Sequence, residues 1–495
     1  MLGDNISLET VFEDESKGGH NTEKGKVLKA GLGYMIGNMF IKGVAFITLP
    51  IFTRLLSTDD YGIYNTYGAY EAILAIVMGL GMYSSIKNAQ YDYKEKVNTY
   101  IATLLSILCI AMGVMLIFGL AFHQAIGEAL GFGSLIVVLM IMQAFGTAAL
   151  NIANSALSLN YNYKTYLLYA SINSIGNVLL SVVLILTVFE NNRSLGRIIG
   201  SAMSIFALGC WILVSYYRKT NTRFDKHMAK YAITFGFPLI WHYLAQTVAS
   251  QFDRIMITNM IGASETGIYS FVYTIASIFS ILFYSTDNVW SVWFYKQMSS
   301  ERYENIRKKA NQYMGGISVL AIGMMVCSKE VMQLMSSRVY WSGFDLFMPI
   351  IIGLFFLFIY TIPVAIEYYY KETKYIAATT FVSAITNIVL NYIFIPLFGY
   401  SSAAYTTAFS YFVMFIMHWI ISKRIMKKHS SSEVFMMKDF LRYIVVILIM
   451  ASGVYVLNDN PVAKYTIFGT LSCVLVIVFR KSIRTLFESL KSNMH

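Results

Sequence analysis

The sequence predicts an all-α integral membrane protein with about fourteen transmembrane helices. Apolar residues make up 57% of the chain and charged residues only 13%, against about 25% charged residues in a typical soluble domain. The mean hydropathy is +0.57. Many apolar runs reach the roughly 20 residues that cross a bilayer as a helix. So many long runs exclude a single soluble core.

The elements follow one another with short turns between them. Residues 1–28 are polar and acidic and lack a charged-then-apolar start with a cleavage site, so we expect a cytoplasmic tail there. A second cytoplasmic tail is expected at 480–495. The predicted spans, numbered 1 to 14, fall at about 30–53, 62–86, 97–122, 130–157, 165–189, 194–216, 229–257, 266–290, 309–327, 346–370, 374–397, 401–421, 437–457 and 463–479.

The distribution of Lys and Arg supports this number of spans. With a cytoplasmic N-terminus, the segments on the cytoplasmic side carry 30 of the 38 Lys and Arg residues, and the outer segments carry 6. Cytoplasmic loops are enriched in these residues. A missed span would move every later loop to the other side, so both termini are expected inside. The net charge of +11 thus reflects topology rather than nucleic-acid binding.

The chain contains an internal duplication. Pro50–Tyr64 and Ile255–Tyr269 both run from the end of an apolar helix through a short acidic turn into Gly-Ile-Tyr, at an offset of 205. Two further pairs of segments have offsets of 213 and 210: Asn98–Tyr100 with Asn311–Tyr313, and Asn177–Ser181 with Asn387–Asn391. Span n therefore pairs with span n+6. Because six is even, the halves have the same orientation and form parallel repeats.

The repeat also predicts the domain boundaries. An N-lobe of spans 1 to 6 is expected at 29–216, a cytoplasmic linker at 217–228 and a C-lobe of spans 7 to 12 at 229–421. Spans 13 and 14, at 437–479, lie outside the duplication and form an appendix.

These residues resemble a known family. Pro50–Tyr64, Asp253–Arg254 with Gly267–Tyr269, and Asn387–Asn391 leading into Ile395–Gly399 are similar to the polysaccharide transporters of the multidrug/oligosaccharidyl-lipid/polysaccharide exporter superfamily. That group includes the O-antigen and capsule repeat-unit flippases. The resemblance extends over about 30–480.

The resemblance implies a fold and a cargo. The fold would be two six-helix lobes around a central cavity that opens alternately to each side. The cargo would be an undecaprenyl-pyrophosphate-linked oligosaccharide, moved from the inner to the outer leaflet of a bacterial cytoplasmic membrane. Membrane lipids and the polymerase and glycosyltransferases of polysaccharide synthesis would be the partners.

Three cations are candidates for binding the pyrophosphate. Lys42 lies near the middle of span 1, where a charge costs about 2.5–3.5 kcal/mol on insertion scales, so its presence there suggests function. Arg254 and its neighbour Asp253 lie near the outer end of span 7, where Arg254 could instead snorkel to the interface. Arg54, at the end of span 1, is a cavity candidate or an interfacial anchor.

Asp253 and four more ionisable residues are candidates for ion coupling or gating. Glu71, deep in span 2, binds a coupling H+ or Na+, or else neutralises Lys42. Asp287 and Glu367 lie near the cytoplasmic ends of spans 8 and 10, where a gate or a snorkelling side chain is equally compatible. His242, in the middle of span 7, either titrates near physiological pH or bonds within the bundle.

The remaining features distinguish the classes of function. Six amides within the predicted spans, among them Asn151, Asn154 and Asn391, either bind sugar or join helices. A cation-coupled multidrug antiporter of the same superfamily would favour acidic cavity residues, whereas this chain places Lys42 at mid-membrane. An enzyme would need a cluster of acids or histidines on a large loop. The chain shows no HExxH, DxD or P-loop motif, and we predict no catalytic residue, metal site or cofactor.

Overall fold

The computed structural model describes residues 40, 43, 44, 46–159, 162–429 and 433–470. The described part consists of helices and the turns that connect them and contains no strand, so the predicted all-α class is confirmed. The helices are α1 (Phe46–Leu55), α2 (Thr58–Gly79), α3 (Ile86–Asp92), α4 (Val97–Ala121), α5 (His123–Leu130), α6 (Ser134–Leu159), α7 (Tyr163–Thr187), α8 (Arg193–Tyr217), α9 (Lys226–Met260), α10 (Ala263–Ala276), α11 (Ile278–Ser299), α12 (Tyr303–Val326), α13 (Ser328–Met335), α14 (Phe347–Ile359), α15 (Thr361–Tyr369), α16 (Thr373–Phe398), α17 (Ser402–His429) and α18 (Met437–Leu457).

Every predicted span coincides at least in part with a helix. Within the described ranges, nine helices are long and apolar enough to cross a membrane, or up to eleven if each of two bent pairs counts as one span. The bent pairs are α2 with residues 82–92, at 50°, and α12 with α13, at 57°. Span 14 is described only at 461–470, which is helical. The multi-pass class is thus established, and the number fourteen stays a prediction.

The chain forms two compact units. The first comprises Tyr70–Leu244 with the described residues up to Thr48, and the second comprises Leu49–Ala69 with the residues from Ala245 on. The division falls inside α2 and α9, so the repeated hairpin at Pro50–Tyr64 belongs to the second unit. The lobe boundaries expected from the repeat remain a prediction.

The two copies of the repeated hairpin pack against each other inside the second unit. A Cβ atom at Gly62 on α2 would lie 1.7 Å from the carbonyl oxygen of Ala263, and one at Gly267 on α10 would lie 1.9 Å from that of Thr58. Neither position can hold a side chain in this arrangement. The Thr58 and Ser264 hydroxyls share a 2.7 Å hydrogen bond at the same contact. The recurrence of glycine at this position of both repeats thus has a steric reason.

A break in span 2 shapes the first unit. After α2, Leu80 and Gly81 adopt positive φ angles of 48° and 62°, a conformation that is costly for residues other than glycine. Gly81 also approaches Gly236 of α9, whose carbonyl oxygen would lie 2.7 Å from an added Cβ atom. The bend redirects the chain, and the residues after it line the cavity described below.

Candidate functional site

A cluster of polar side chains surrounds a buried carboxylate in the second unit. The carboxylate belongs to Asp253 on α9 and is 2% exposed. Its Oδ2 accepts hydrogen bonds from the Tyr269 hydroxyl at 2.8 Å and the Thr407 hydroxyl at 2.9 Å, and its Oδ1 accepts one from the Asn391 amide at 2.6 Å. The cluster comprises Asp253, Tyr269, Asn387, Asn391, Thr406 and Thr407, and is called the Asp253 cluster below.

The helices place these side chains by simple spacing. Asn387 and Asn391 are four residues apart on α16 and therefore share a face. The Asn391 amide donates to the Asn387 carbonyl at 3.2 Å, and the Asn387 amide donates to the Thr407 hydroxyl at 3.0 Å. Thr406 donates to the side-chain oxygen of Asn391. Each member thus fixes the orientation of the next.

The cluster brings several side-chain oxygen atoms together around one buried carboxylate. A buried carboxylate is tolerated when hydrogen bonds or positive charge compensate it, and here three donors do so. Carboxylate, amide and hydroxyl oxygens are the ligands that hard cations take. Among the described residues, no three His, Cys, Asp or Glu side chains come together as a metal site.

Arg254, the neighbour of Asp253, is packed rather than extended into a cavity. Its side chain is buried, its Nη1 donates to the Ser250 carbonyl at 2.9 Å, and its guanidinium lies 5.0 Å from the centre of the Tyr273 ring. The Arg254 guanidinium interacts electrostatically with the Asp253 carboxylate. In this conformation Arg254 is a cation–π partner.

The first unit contains a polar cluster at the equivalent positions of the repeat. Asn177 and Ser181 on α7 correspond to Asn387 and Asn391 at an offset of 210, and Arg197 on α8 corresponds to Thr407 at the same offset. The buried Arg197 guanidinium donates through Nη1 to the Asn177 side-chain oxygen and, at 2.7 Å, to the Ser181 hydroxyl. A fixed positive charge therefore occupies the first copy of the cluster. Arg197 lies in the first turns of α8, within the predicted span 6.

Glu71 is buried in the first unit, as expected from its depth in span 2. The Thr147 hydroxyl on α6 donates to its Oε1 at 2.7 Å, and the Gln143 side chain also hydrogen-bonds to it. Lys42, the predicted partner and pyrophosphate ligand, lies outside the described residues.

An open polar cavity of about 470 Å³ lies in the first unit. It is bounded by the residues after the span 2 bend, by α6 and by α9. The lining residues are Tyr83, Ser84, Lys87, Asn151, Asn154, Ser155, Ser158 and Tyr243.

The lining groups suit a sugar or a phosphate. The Tyr83 and Tyr243 rings lie 5.2 Å apart, and the Tyr243 hydroxyl shares a 2.6 Å hydrogen bond with Ser84. The Asn154 side-chain oxygen is buried and has no hydrogen-bond partner among the described residues, so it is available to a ligand donor. Lys87 is exposed at the cavity. We refer to this feature as the Lys87 cavity.

The other predicted residues are dispersed. Arg54 donates to the carbonyl oxygens of Pro50 and Leu334, at 3.0 and 2.8 Å, and thus caps the C-terminal end of α13 with a positive charge. The exposed His242 ring lies 5.6 Å from that of Tyr243.

Two of the acids were expected near helix ends. For Asp287 this is wrong, because α11 continues to Ser299 and places it in the middle of the helix; the helix extends into a polar stretch beyond the apolar run. Glu367 lies two residues before the end of α15 and is fully buried, with Oε1 2.7 Å from the Nδ1 of His418.

Sequence reasoning missed Lys87, His418, Thr407 and Arg197 as parts of polar sites. Lys87 was assigned to a loop, although its position four residues after Tyr83 puts both on one helical side. The offset of 210 could have paired Arg197 with Thr407. No sequence signal pairs His418 with Glu367, since 51 residues separate them.

Comparison with known proteins finds one matching family model and several more distant relatives. A family model described as "Polysaccharide biosynthesis protein" matches residues 27–290. The Lsg locus putative protein 1 of Haemophilus influenzae is 23% identical over 374 residues, which cover 73% of this chain and 89% of that protein. The succinoglycan biosynthesis transport protein ExoT of Rhizobium meliloti is 24% identical over 239 residues, which cover 48% of this chain and 47% of that protein.

Solved structures with the same fold are transporters. The lipid II flippase MurJ in an inward closed conformation superposes with a TM-score of 0.67 at 18% identity, covering 90% of this chain and 99% of that one. An inward-facing multidrug resistance transporter of the MATE family gives a TM-score of 0.64 at 14% identity, covering 79% and 96%. At these identities the likeness shows the fold.

Proposed function

Because the chain belongs to the polysaccharide biosynthesis protein family, we propose that it is a flippase for lipid-linked oligosaccharides. It moves undecaprenyl-pyrophosphate-linked units from the inner to the outer leaflet of a bacterial cytoplasmic membrane by alternating access, and it makes or breaks no covalent bond. Glycosyltransferases supply the unit and a polymerase consumes it. Both termini face the cytoplasm, in line with the distribution of Lys and Arg.

The Lys87 cavity is the observation that supports this proposal most directly. Its volume of about 470 Å³ falls in the usual range of ligand sites, about 300–1,000 Å³. Lys87 supplies a point charge for a phosphate group. The Asn154 oxygen accepts from a sugar hydroxyl, and the Tyr83 and Tyr243 rings offer apolar faces to a pyranose. A pyrophosphate needs such compensation, because an unpaired ion is costly in hydrocarbon.

The first experiment replaces the cavity lysine. Purified protein is reconstituted into liposomes with a fluorescent undecaprenyl-pyrophosphate oligosaccharide, and a membrane-impermeant quencher reports headgroup movement between leaflets. Lys87→Ala should lower the rate about tenfold, since losing one charge-assisted contact is worth about 1.4 kcal/mol or more. The matched control is Lys94→Ala, an exposed lysine outside the cavity. Equal rates for the two variants would refute this role of the cavity, and no movement by the wild type would refute the flippase.

We also propose that a coupling cation, Na+ or H+, binds at the Asp253 cluster. Two facts support this site. Its oxygen ligands converge on one buried carboxylate, and the equivalent cluster of the first unit already contains the guanidinium of Arg197. The fixed charge of this guanidinium repels any cation from the cluster of the first unit.

The alternative is a cation-coupled multidrug antiporter of the same superfamily. The buried acids Glu71 and Asp253 favour it, because lipophilic cations are exchanged against H+ or Na+ on such groups. The same liposomes distinguish the two functions: a fluorescent lipophilic cation should move at the protein-free rate if the cargo is a lipid-linked glycan.

A further inference from the structure

A buried pair of titratable side chains lies in the second unit, apart from the Asp253 cluster. Glu367 on α15 and His418 on α17 are both 0% exposed, and the Glu367 Oε1 lies 2.7 Å from the His418 Nδ1. The other polar atom of each side chain, Oε2 of Glu367 and Nε2 of His418, is buried and has no hydrogen-bond partner among the described residues. The pair is therefore only half satisfied.

The charge of the pair depends on one proton. With neutral His418 donating from Nδ1 to ionised Glu367, the pair carries a net charge of −1. One added proton makes the pair neutral, whether it resides on the Glu367 carboxyl or the His418 imidazole. Because an uncompensated buried charge is strongly unfavourable, the closed packing around these residues favours the neutral state.

The neighbouring helices provide little positive charge to replace that proton. Next to the pair lie the Tyr360 ring, 5.4 Å from the His418 ring, and Tyr368, which interacts electrostatically with Glu367. On α11, Asp287 and Tyr284 interact electrostatically with Tyr360, and Asp287 also interacts electrostatically with Tyr368. The sequence of α14 contains no ionisable residue.

Lys374 on α16 and Lys423 on α17 are engaged in ion pairs elsewhere, and the other basic residues of α17, Arg424, Lys427, Lys428 and His429, lie six or more residues beyond His418. On α17, the Lys423 Nζ lies 2.8 Å from Glu433. On α16, the Lys374 Nζ lies 3.3 Å from Glu372. A lost proton would therefore leave a bare negative charge in this packing.

We propose that Glu367 and His418 form a proton-binding site that holds one exchangeable proton while α15 and α17 are packed together. Release of the proton requires α15 and α17 to separate enough to admit water or a cation to the carboxylate. Proton release is thereby linked to opening of this part of the second unit.

The same helix carries part of the Asp253 cluster. Thr407 and His418 are eleven residues apart on α17, about 16 Å along the helix axis at 1.5 Å per residue. A movement of α17 that separates His418 from Glu367 therefore also displaces Thr407 of the Asp253 cluster. The proton site itself does not depend on the cargo, whereas its link to transport rests on the proposed function.

The test uses the full-length protein in lipid nanodiscs, without cargo. Glu367→Gln keeps the size and the acceptor oxygen but removes the charge, so this variant models the neutral pair. Thermal unfolding of wild type and Glu367→Gln is compared from acidic to alkaline pH, with Glu372→Gln as the matched control. The wild-type midpoint should fall by several degrees relative to Glu367→Gln as pH rises, while Glu372→Gln should follow the wild type. A constant difference between wild type and Glu367→Gln would overturn the proposal.

Infrared difference spectra recorded on acidification give a second readout. The wild type should show one carboxyl or imidazolium signal that disappears in both Glu367→Gln and His418→Gln and persists in Glu372→Gln. Two variants are needed because, in this proposal, the two side chains share one proton. Persistence of the full signal in Glu367→Gln would also overturn the proposal. Neither readout depends on flipping, so a failed flippase assay leaves this result standing.

Discussion

Asp253 is the residue on which the polar groups of the second unit converge. Its two carboxylate oxygens accept three hydrogen bonds from three other helices. In the first unit, Ser181 and Arg197 stand where Asn391 and Thr407 stand in the second. The first copy thus has a guanidinium in place of the Thr407 hydroxyl and a serine in place of Asn391, and it contains its own positive charge.

Replacing this carboxylate should remove ion dependence. Asp253→Asn takes away the anion, so the flipping rate should no longer respond to an imposed Na+ or H+ gradient. The new amide also faces hydroxyl and amide donors, which costs about 1–3 kcal/mol of stability, so folded protein is quantified first. Asp59→Asn, an exposed acid on α2, is the control. An unchanged gradient response in Asp253→Asn, with a loss in Glu71→Gln, would assign coupling to Glu71 instead.

At the scale of the elements, the backbones of the two repeated hairpins approach each other closely in the second unit. Gly62 and Gly267 allow α2 and α10 to approach so closely that a single methyl group at either would overlap a carbonyl group. By contrast, Gly68, two turns further along α2, has no atom within 4 Å of an added Cβ. One helix therefore provides both a test position and its control.

Gly62→Ala should destabilise the protein and Gly68→Ala should not. The overlap at Gly62 forces the helices apart, and overpacking of this kind costs about 1–3 kcal/mol. At Gly68 the alanine only improves helix propensity, by about 1 kcal/mol. Thermal unfolding in detergent compares the two variants. Equal midpoints would mean that the hairpins are not in contact in solution.

Helix positions could be read from the sequence, because each apolar run is long enough to require a backbone with all its hydrogen bonds satisfied internally. The bends that interrupt the spans could not be read from the sequence. The bend after α2 depends on positive φ angles at Leu80 and Gly81, and no proline or polar loop marks it. The same holds for contacts across the fold: Asp253 was recognisable as a candidate, but its partners on α16 and α17 lie more than 130 residues away.

The whole molecule has a topology that surface labelling can check. In a background with all four native cysteines replaced by serine, single cysteines at Ala125 and Asn192 should react with an impermeant maleimide on intact cells. A cysteine at Asn221 should react only after the cells are opened, because it lies in the basic linker expected in the cytoplasm. All three positions are exposed. Labelling of Asn221 from outside would refute the predicted count of spans before the linker.

The guanidinium in the first unit has a consequence for energetics. Arg197 is part of the chain, so it cannot be taken up on one side and released on the other, and it contributes nothing to the driving force. In the proposed cycle, a cation that binds at Asp253 and crosses the membrane adds about 2.3 kcal/mol per 100 mV of membrane potential. In that cycle the duplicated clusters carry one ion per turnover rather than two, and the membrane potential acts through the cation at Asp253 alone of the two clusters.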